Sequence, residues 1–170
     1  SVYKGAITFV DISIRAAVNI YFGYMFGGYL NKMACRVRPY EKNKGETDSA
    51  VEKSMEILYN LFLHDTSKDR ALEEIIHIFE KIETVPGKRP KVAIFGDLYV
   101  RDNDIMNQDL IKTVEEAGGE VLVTPYHDYM KIVIENIFRR AKQRGELLET
   151  RMNRVLLNLL RFMDDRHYGP

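Results

Sequence analysis

Two short β-branched runs, each walled in by residues that end regular structure, constrain this chain more than anything else in it. Lys91–Phe95 (KVAIF) lies between Pro90 and Gly96, and Glu120–Thr124 (EVLVT) follows Gly118-Gly119 and stops at Pro125. Runs of this length and composition read as buried strands. Between them Leu110, Ile111 and Val114 recur at helical spacing over Met106–Ala117, and the paired glycines supply a C-terminal stop. Two buried strands joined by a helix lie parallel, with a right-handed crossover. The expected fold is therefore α/β: a helix-rich domain with a small parallel sheet built on a βαβ unit, a Rossmann-like or flavodoxin-like lobe.

The remaining chain reads as helices around that unit, with a helical part at 1–84, the βαβ part at 90–127 and C-terminal helices at 128–166. Apolar residues from Tyr3 to about Leu30 keep helical spacing through Ile7, Val10, Ile14, Ala17, Val18, Tyr21 and Met25. Gly23, Gly27 and Gly28 inside it predict a kink, a break or a close helix crossing. Pro39 ends the next segment, and Glu41–Asp48 (EKNKGETD) is a polar loop. Asp48 or Ser49 is the expected cap of the following helix, whose inward face carries Met55, Leu58, Tyr59 and Phe62. A further helix is expected over Lys68–Ile82 with Leu72, Ile75, Ile76 and Phe79 inward, then a linker at Val85–Pro90. Two more amphipathic helices are expected, over Asp128–Gln143 and Leu147–Met163. The chain opens in mid-pattern without an initiating methionine and closes on Gly169-Pro170, so it reads as one domain of 170 residues cut from a longer polypeptide. Two strands make a thin sheet, and others are expected from elsewhere in that polypeptide.

Charge and composition narrow the partners. Lysine plus arginine equals aspartate plus glutamate at 25 each, so no global field draws nucleic acid or an anionic membrane. The most apolar stretch, Ala16–Leu30, falls short of the roughly 20 residues that span a bilayer. No signal peptide is visible, and the single cysteine, Cys35, fits a reducing cytoplasm and reads as a small apolar residue.

In open parallel sheets ligands bind beyond the carboxyl ends of the strands. Those ends here are GDLYVRDND, with Asp97, Tyr99, Arg101, Asp102, Asn103 and Asp104, and TPYHD, with Tyr126, His127 and Asp128. Asp97 and His127 facing each other would offer a carboxylate and an imidazole titrating near neutrality. The competing reading is that Asp102, Asn103 or Asp104 caps the next helix and that His127 and Asp128 cap or flank another. Arg38-Pro39-Tyr40-Glu41 sets a guanidinium and a carboxylate about a rigid turn, either to hold a phosphate or carboxylate or to fix the loop by an ion pair. The scattered histidines and lone cysteine suggest no metal site. No glycine-rich dinucleotide fingerprint, phosphate loop or Gly-x-Ser-x-Gly appears.

The run KRPKVAIFGDLYVRDND followed by LIKTVEEAGGEVLVTPY resembles the carboxy-terminal region of CoA-substrate-specific enzyme activases, activase-related bacterial proteins of the 2-hydroxyacyl-CoA dehydratase system. RPYEKNKGETD, Arg38 to Asp48, resembles a second block of that family, and Tyr3-Lys4-Gly5 a fainter third. The resemblance implies a dehydratase-subunit-like fold; relatives hold a four-iron cluster through cysteines after the strands and use ATP in a separate actin-like part. Here Gly96 is followed by Asp97, the second strand leads to Tyr126-His127-Asp128, and the ATPase motifs are missing. The expectation is an accessory or scaffold domain, not catalytic in isolation, with no cofactor of its own. Its partners would be the rest of the parent polypeptide and dehydratase or activase components. One alternative is a half-site for acyl-CoA or another anionic ligand using Asp97, Arg101 and His127, the remainder of the site coming from outside the chain. Another is an interaction module built on Tyr21–Leu30 (YFGYMFGGYL).

Overall fold

The computed structural model describes residues 14–146 and, between 151 and 162, a helical set lacking 152, 156, 159 and 160; a few side chains within this span, among them those of Leu98, Tyr126 and His127, are outside the description. The expected helix segment before Ile14 and the Tyr3-Lys4-Gly5 block lie outside the described residues.

Helix α1 (Ile14–Val37) runs unbroken through Gly23, Gly27 and Gly28 and continues past Leu30. Its Phe22, Met25, Phe26, Tyr29, Leu30 and Ala34 enter one core with α2 (Glu46–His64) and α3 (Lys68–Glu80). Burying each large side chain is worth about 1.5–3 kcal/mol, against about 1 kcal/mol lost per helical glycine, so packing overrides the expected kink. Gly23 and Gly27 are not spacers for a crossing either: a Cβ on Gly23 would only touch Phe62 at 4.0 Å, and one on Gly27 would meet nothing. The Tyr21–Leu30 segment is thus mainly core rather than a sticky surface.

Pro39 stops α1, and Arg38–Tyr40 forms a single 3-10 turn. The cap expected from Asp48 or Ser49 does not form, since both lie inside the first turn of α2; the N-cap is Gly45, whose φ of 94° suits a residue without Cβ. The inward face of α2 is also shifted, to Thr47, Ala50, Ser54, Leu58 and Leu61, leaving Met55 and Tyr59 exposed. Ser54 tolerates the core because its hydroxyl donates to the Ala50 carbonyl at 2.7 Å. On α3, capped by Ser67, the buried residues are Ala71, Ile75 and Phe79, while Ile76 faces solvent.

Strands β1 (Lys91–Ala93) and β2 (Glu120–Leu122) pair in parallel, with Lys91 opposite Glu120, Val92 opposite Val121 and Ala93 opposite Leu122. The described part of the chain is a helix-rich α/β fold with this two-stranded parallel sheet. The single helix expected between the strands is three short ones, α4 (Leu98–Arg101), α5 (Asp104–Asn107) and α6 (Leu110–Glu116). Gln108 and Asp109, both left-handed at φ 56° and 54°, separate the last two. A second, smaller core joins Ile94, Val121 and Val123 to Cys35 of α1, with Ile111 and Val114 of α6 against it. Among the described residues it is β2 that packs closely on α1 and α6. β1 is therefore less buried than expected, and Phe95, just beyond it, is 82% exposed.

The turn from α6 into β2 needs both glycines. Gly118 has a φ of 91°, and a Cβ on Gly119 would lie 2.7 Å from Val114 Cγ1. Helix α7 (Tyr126–Arg144) starts directly after Pro125 and packs on α1. No helix among the described residues is long and apolar enough to cross a membrane.

Candidate functional site

At the carboxyl ends of the strands the polar side chains engage the chain itself. Asp97 Oδ1 accepts from the backbone N–H of Tyr99 at 2.9 Å and of Val100 at 3.4 Å, holding the start of α4. Arg101 is buried, forms a two-pronged pair with Asp102 with a shortest contact of 2.8 Å, and donates to the Thr124 carbonyl at 3.1 Å. It therefore ties the loop after β1 to the loop after β2. Asn103 Oδ1 accepts from Met106 N at 3.0 Å and caps α5, and Asn107 donates to the Arg101 carbonyl at 2.6 Å. Of the acidic and amide cluster it is Asn103 that caps, while Asp102 serves as counter-ion. Tyr99 projects into solvent. Tyr126 and His127 fall in the first turn of α7, with side chains outside the description.

The Arg38–Glu41 block does something the local sequence does not announce. Arg38 and Glu41 do not pair with each other. Arg38 Nε donates to Asp48 at 2.9 Å and Nη1 to Glu115 of α6 at 3.2 Å, bridging residues 77 positions apart. Tyr40 Oη donates to Glu120 of β2 at 2.8 Å and accepts from Arg89 N at 3.3 Å, and the Arg89 guanidinium sits 5.6 Å from the Tyr40 ring centre. Glu41 Oε1 accepts from Gly45 N at 2.9 Å and Oε2 from Thr47 N at 2.8 Å, so this carboxylate is the true cap of α2. The backbone joins in: Val85 N donates to the Tyr40 carbonyl and Lys42 N to the Glu83 carbonyl, both at 2.8 Å. These contacts form a clamp between the helical part and the sheet.

Electrostatics follow this geometry. Burial works to lower the pKa of Arg38, but Glu115 and Asp48 outweigh it and hold the guanidinium above its ordinary value. Burial pushes the Glu115 carboxyl up, and Arg38 offsets only part of that. Burial alone would also raise Glu41, yet the Gly45 and Thr47 amides hold it below the ordinary carboxylate range. Desolvation lifts the Cys35 thiol to about 11, and its Sγ lies 3.6 Å from Asn31 Oδ1.

A cleft of about 410 Å³ opens over the clamp between the α2 entry loop and α6. Four cations (Arg38, Lys44, Arg89, Lys112) and four carboxylates (Glu41, Asp48, Glu115, Glu116) border it, so it carries no net charge. The anion that the α2 N-terminus attracts is already supplied by Glu41. No group of three or more metal-ligating side chains occurs among the described residues. The partners Asp48, Glu115, Glu120 and Arg89 escaped the sequence reading because nothing in local spacing marks contacts made 10 to 80 residues away.

No protein-family model, no curated protein and no solved structure matches the chain.

Proposed function

We infer that the chain is a dehydratase-subunit-like accessory or scaffold domain of an activase-related protein, with neither an iron–sulfur cluster nor an ATPase site of its own. One observation carries this reading. The two blocks on which the resemblance rests, Arg38–Asp48 and Arg89–Asp128, dock on each other through Arg38–Glu115 and Tyr40–Glu120. Residues spent on joining two parts of one fold are what a scaffold requires. The strand tips support the same reading, since Asp97 and Arg101, two of the three residues of the ligand half-site alternative, are engaged with backbone and Asp102. The parallel pairing of β1 and β2 fits a Rossmann-like lobe.

Two experiments test the proposal. Anaerobic incubation with iron and sulfide should leave the chain without stoichiometric iron; a bound four-iron cluster would overturn the claim that it carries none. Mixing with purified dehydratase and activase components, followed by sedimentation, should give a complex; separate migration of all components at tens of micromolar would overturn the accessory role.

A further inference from the structure

The second half of α7 is rich in cations, with Arg139, Arg140, Lys142 and Arg144. The helical residues between 151 and 162 bring two more arginines against this helix. Arg161 Nη2 donates to Glu135 Oε1 at 3.0 Å, and the Arg154 guanidinium lies 5.8 Å from the Phe138 ring centre. A cleft of about 410 Å³ opens between them, bordered by Phe138, Arg139, Arg154, Leu157, Asn158 and Arg161 besides Glu135. It shares no residue with the clamp.

The charges in this cleft do not cancel. Glu135 is its one carboxylate and is taken by Arg161. Arg139 and Arg154 have no ion-pair partner among the described residues, so two guanidinium groups border one hollow in which the described carboxylate, Glu135, is already engaged. Guanidinium forks match the tetrahedral oxygens of a phosphate, and Asn158 adds a neutral donor. Phe138 and the buried Leu157 add apolar surface to the same cleft. Stacking on Phe138 holds the Arg154 head without using its outward N–H groups.

We propose that this cleft binds a small organic phosphate ester, its phosphate held by Arg139 and Arg154 and its apolar body against Phe138 and Leu157. Phenyl phosphate and inorganic phosphate are the probes, titrated calorimetrically into the 170-residue chain at constant ionic strength. Phenyl phosphate should bind saturably at one site per chain and more tightly than inorganic phosphate. R139Q and R154Q should each weaken it by about tenfold or more, because each removes a charge-assisted hydrogen bond. R154K keeps the charge but loses the fork, and should also bind more weakly; R140Q, outside the cleft, should match the parent chain. All three glutamine substitutions fall on exposed positions, so circular dichroism should be unchanged. Absence of saturable binding, affinity in R139Q or R154Q unchanged from the parent chain, or full affinity in R154K would overturn the assignment.

Discussion

Tyr40 Oη lies 2.8 Å from Glu120 Oε2, so a residue of the turn after α1 holds a nearly buried carboxylate of β2, 80 positions further along the chain. Lys91, a cation near Glu120, is 3.9 Å away and largely exposed, and is a weak substitute for that bond. Y40F should lower the urea midpoint with little change in the slope of the transition. The loss should be non-additive with E120Q, because Y40F removes the bond and E120Q weakens it by taking the charge from its acceptor. Strictly additive midpoints would show that the hydrogen bond contributes nothing to the clamp.

Arg38 and Glu115 form the second cross-brace, and the two partners are unequal. Glu115 has a side chain only 7% exposed and depends on Arg38, whereas Arg38 is 20% exposed and also holds Asp48. R38A leaves a carboxylate stranded and should cost about 3 kcal/mol. E115A leaves Arg38 paired with Asp48 and should cost about 1.5 kcal/mol. Chemical denaturation of the two variants checks the order; an equal or reversed ranking would contradict it.

Glu41 predicts a pH dependence. Its folded pKa lies below the ordinary value of 4.5, so its stabilisation is fully present above that pH and is lost as the pH falls through the folded value. E41Q should cost about 1–2 kcal/mol at neutral pH through the weakened cap of α2. The gap between parent and variant should close on acidification below 4.5. Denaturant midpoints measured across that range read this directly, and a constant gap would show that the charge of Glu41 is not what matters.

The strand pair was legible because a β-branched run between Pro90 and Gly96, and another between Gly119 and Pro125, leave few alternatives, and Gly118-Gly119 marked the turn between α6 and β2. The loop after β1 was half legible: a cap was foreseen in the cluster of Asp102, Asn103 and Asp104, and Asn103 provides it. The break at Gln108-Asp109 was not, since neither residue is a glycine and the left-handed pair is held by its surroundings, including Asn107 Oδ1 accepting from Leu110 N at 3.2 Å. Helix α1 was misjudged at its glycines because local propensity is worth less than the burial of Phe22, Met25 and Phe26. The clamp was invisible in kind: Arg38 beside Glu41 suggests a local pair, and nothing in spacing says that each has a better partner elsewhere.

Two glycines should respond to alanine in opposite directions. G119A drives a Cβ to 2.7 Å from Val114 Cγ1 and 3.1 Å from the Val114 carbonyl, at the point where α6 turns into β2. Overpacking of that kind should cost about 1–3 kcal/mol. G27A meets no atom within 4 Å and lies inside a 24-residue helix. Helix propensity there should stabilise the fold by about 0.5–1 kcal/mol. Thermal midpoints test both, and a destabilised G27A would mean that α1 needs flexibility at that position.

Cys35 is 1% exposed, packed against Ile94, Val121 and Val123, with burial raising its thiol to about 11 from its ordinary 9.0. The thiolate is the reactive form, so the native protein should resist thiol reagents at neutral pH and label only as fast as it opens. The same shift sets an alkaline limit. Below pH 9 the stabilisation from keeping the thiol neutral and buried is fully present, and it is lost as the pH rises through about 11. C35A should therefore flatten the alkaline side of the stability profile while costing little volume at neutral pH. Rapid stoichiometric labelling of the folded chain, or a C35A profile that falls as steeply as the parent's, would show that the thiol is not sealed beneath the sheet.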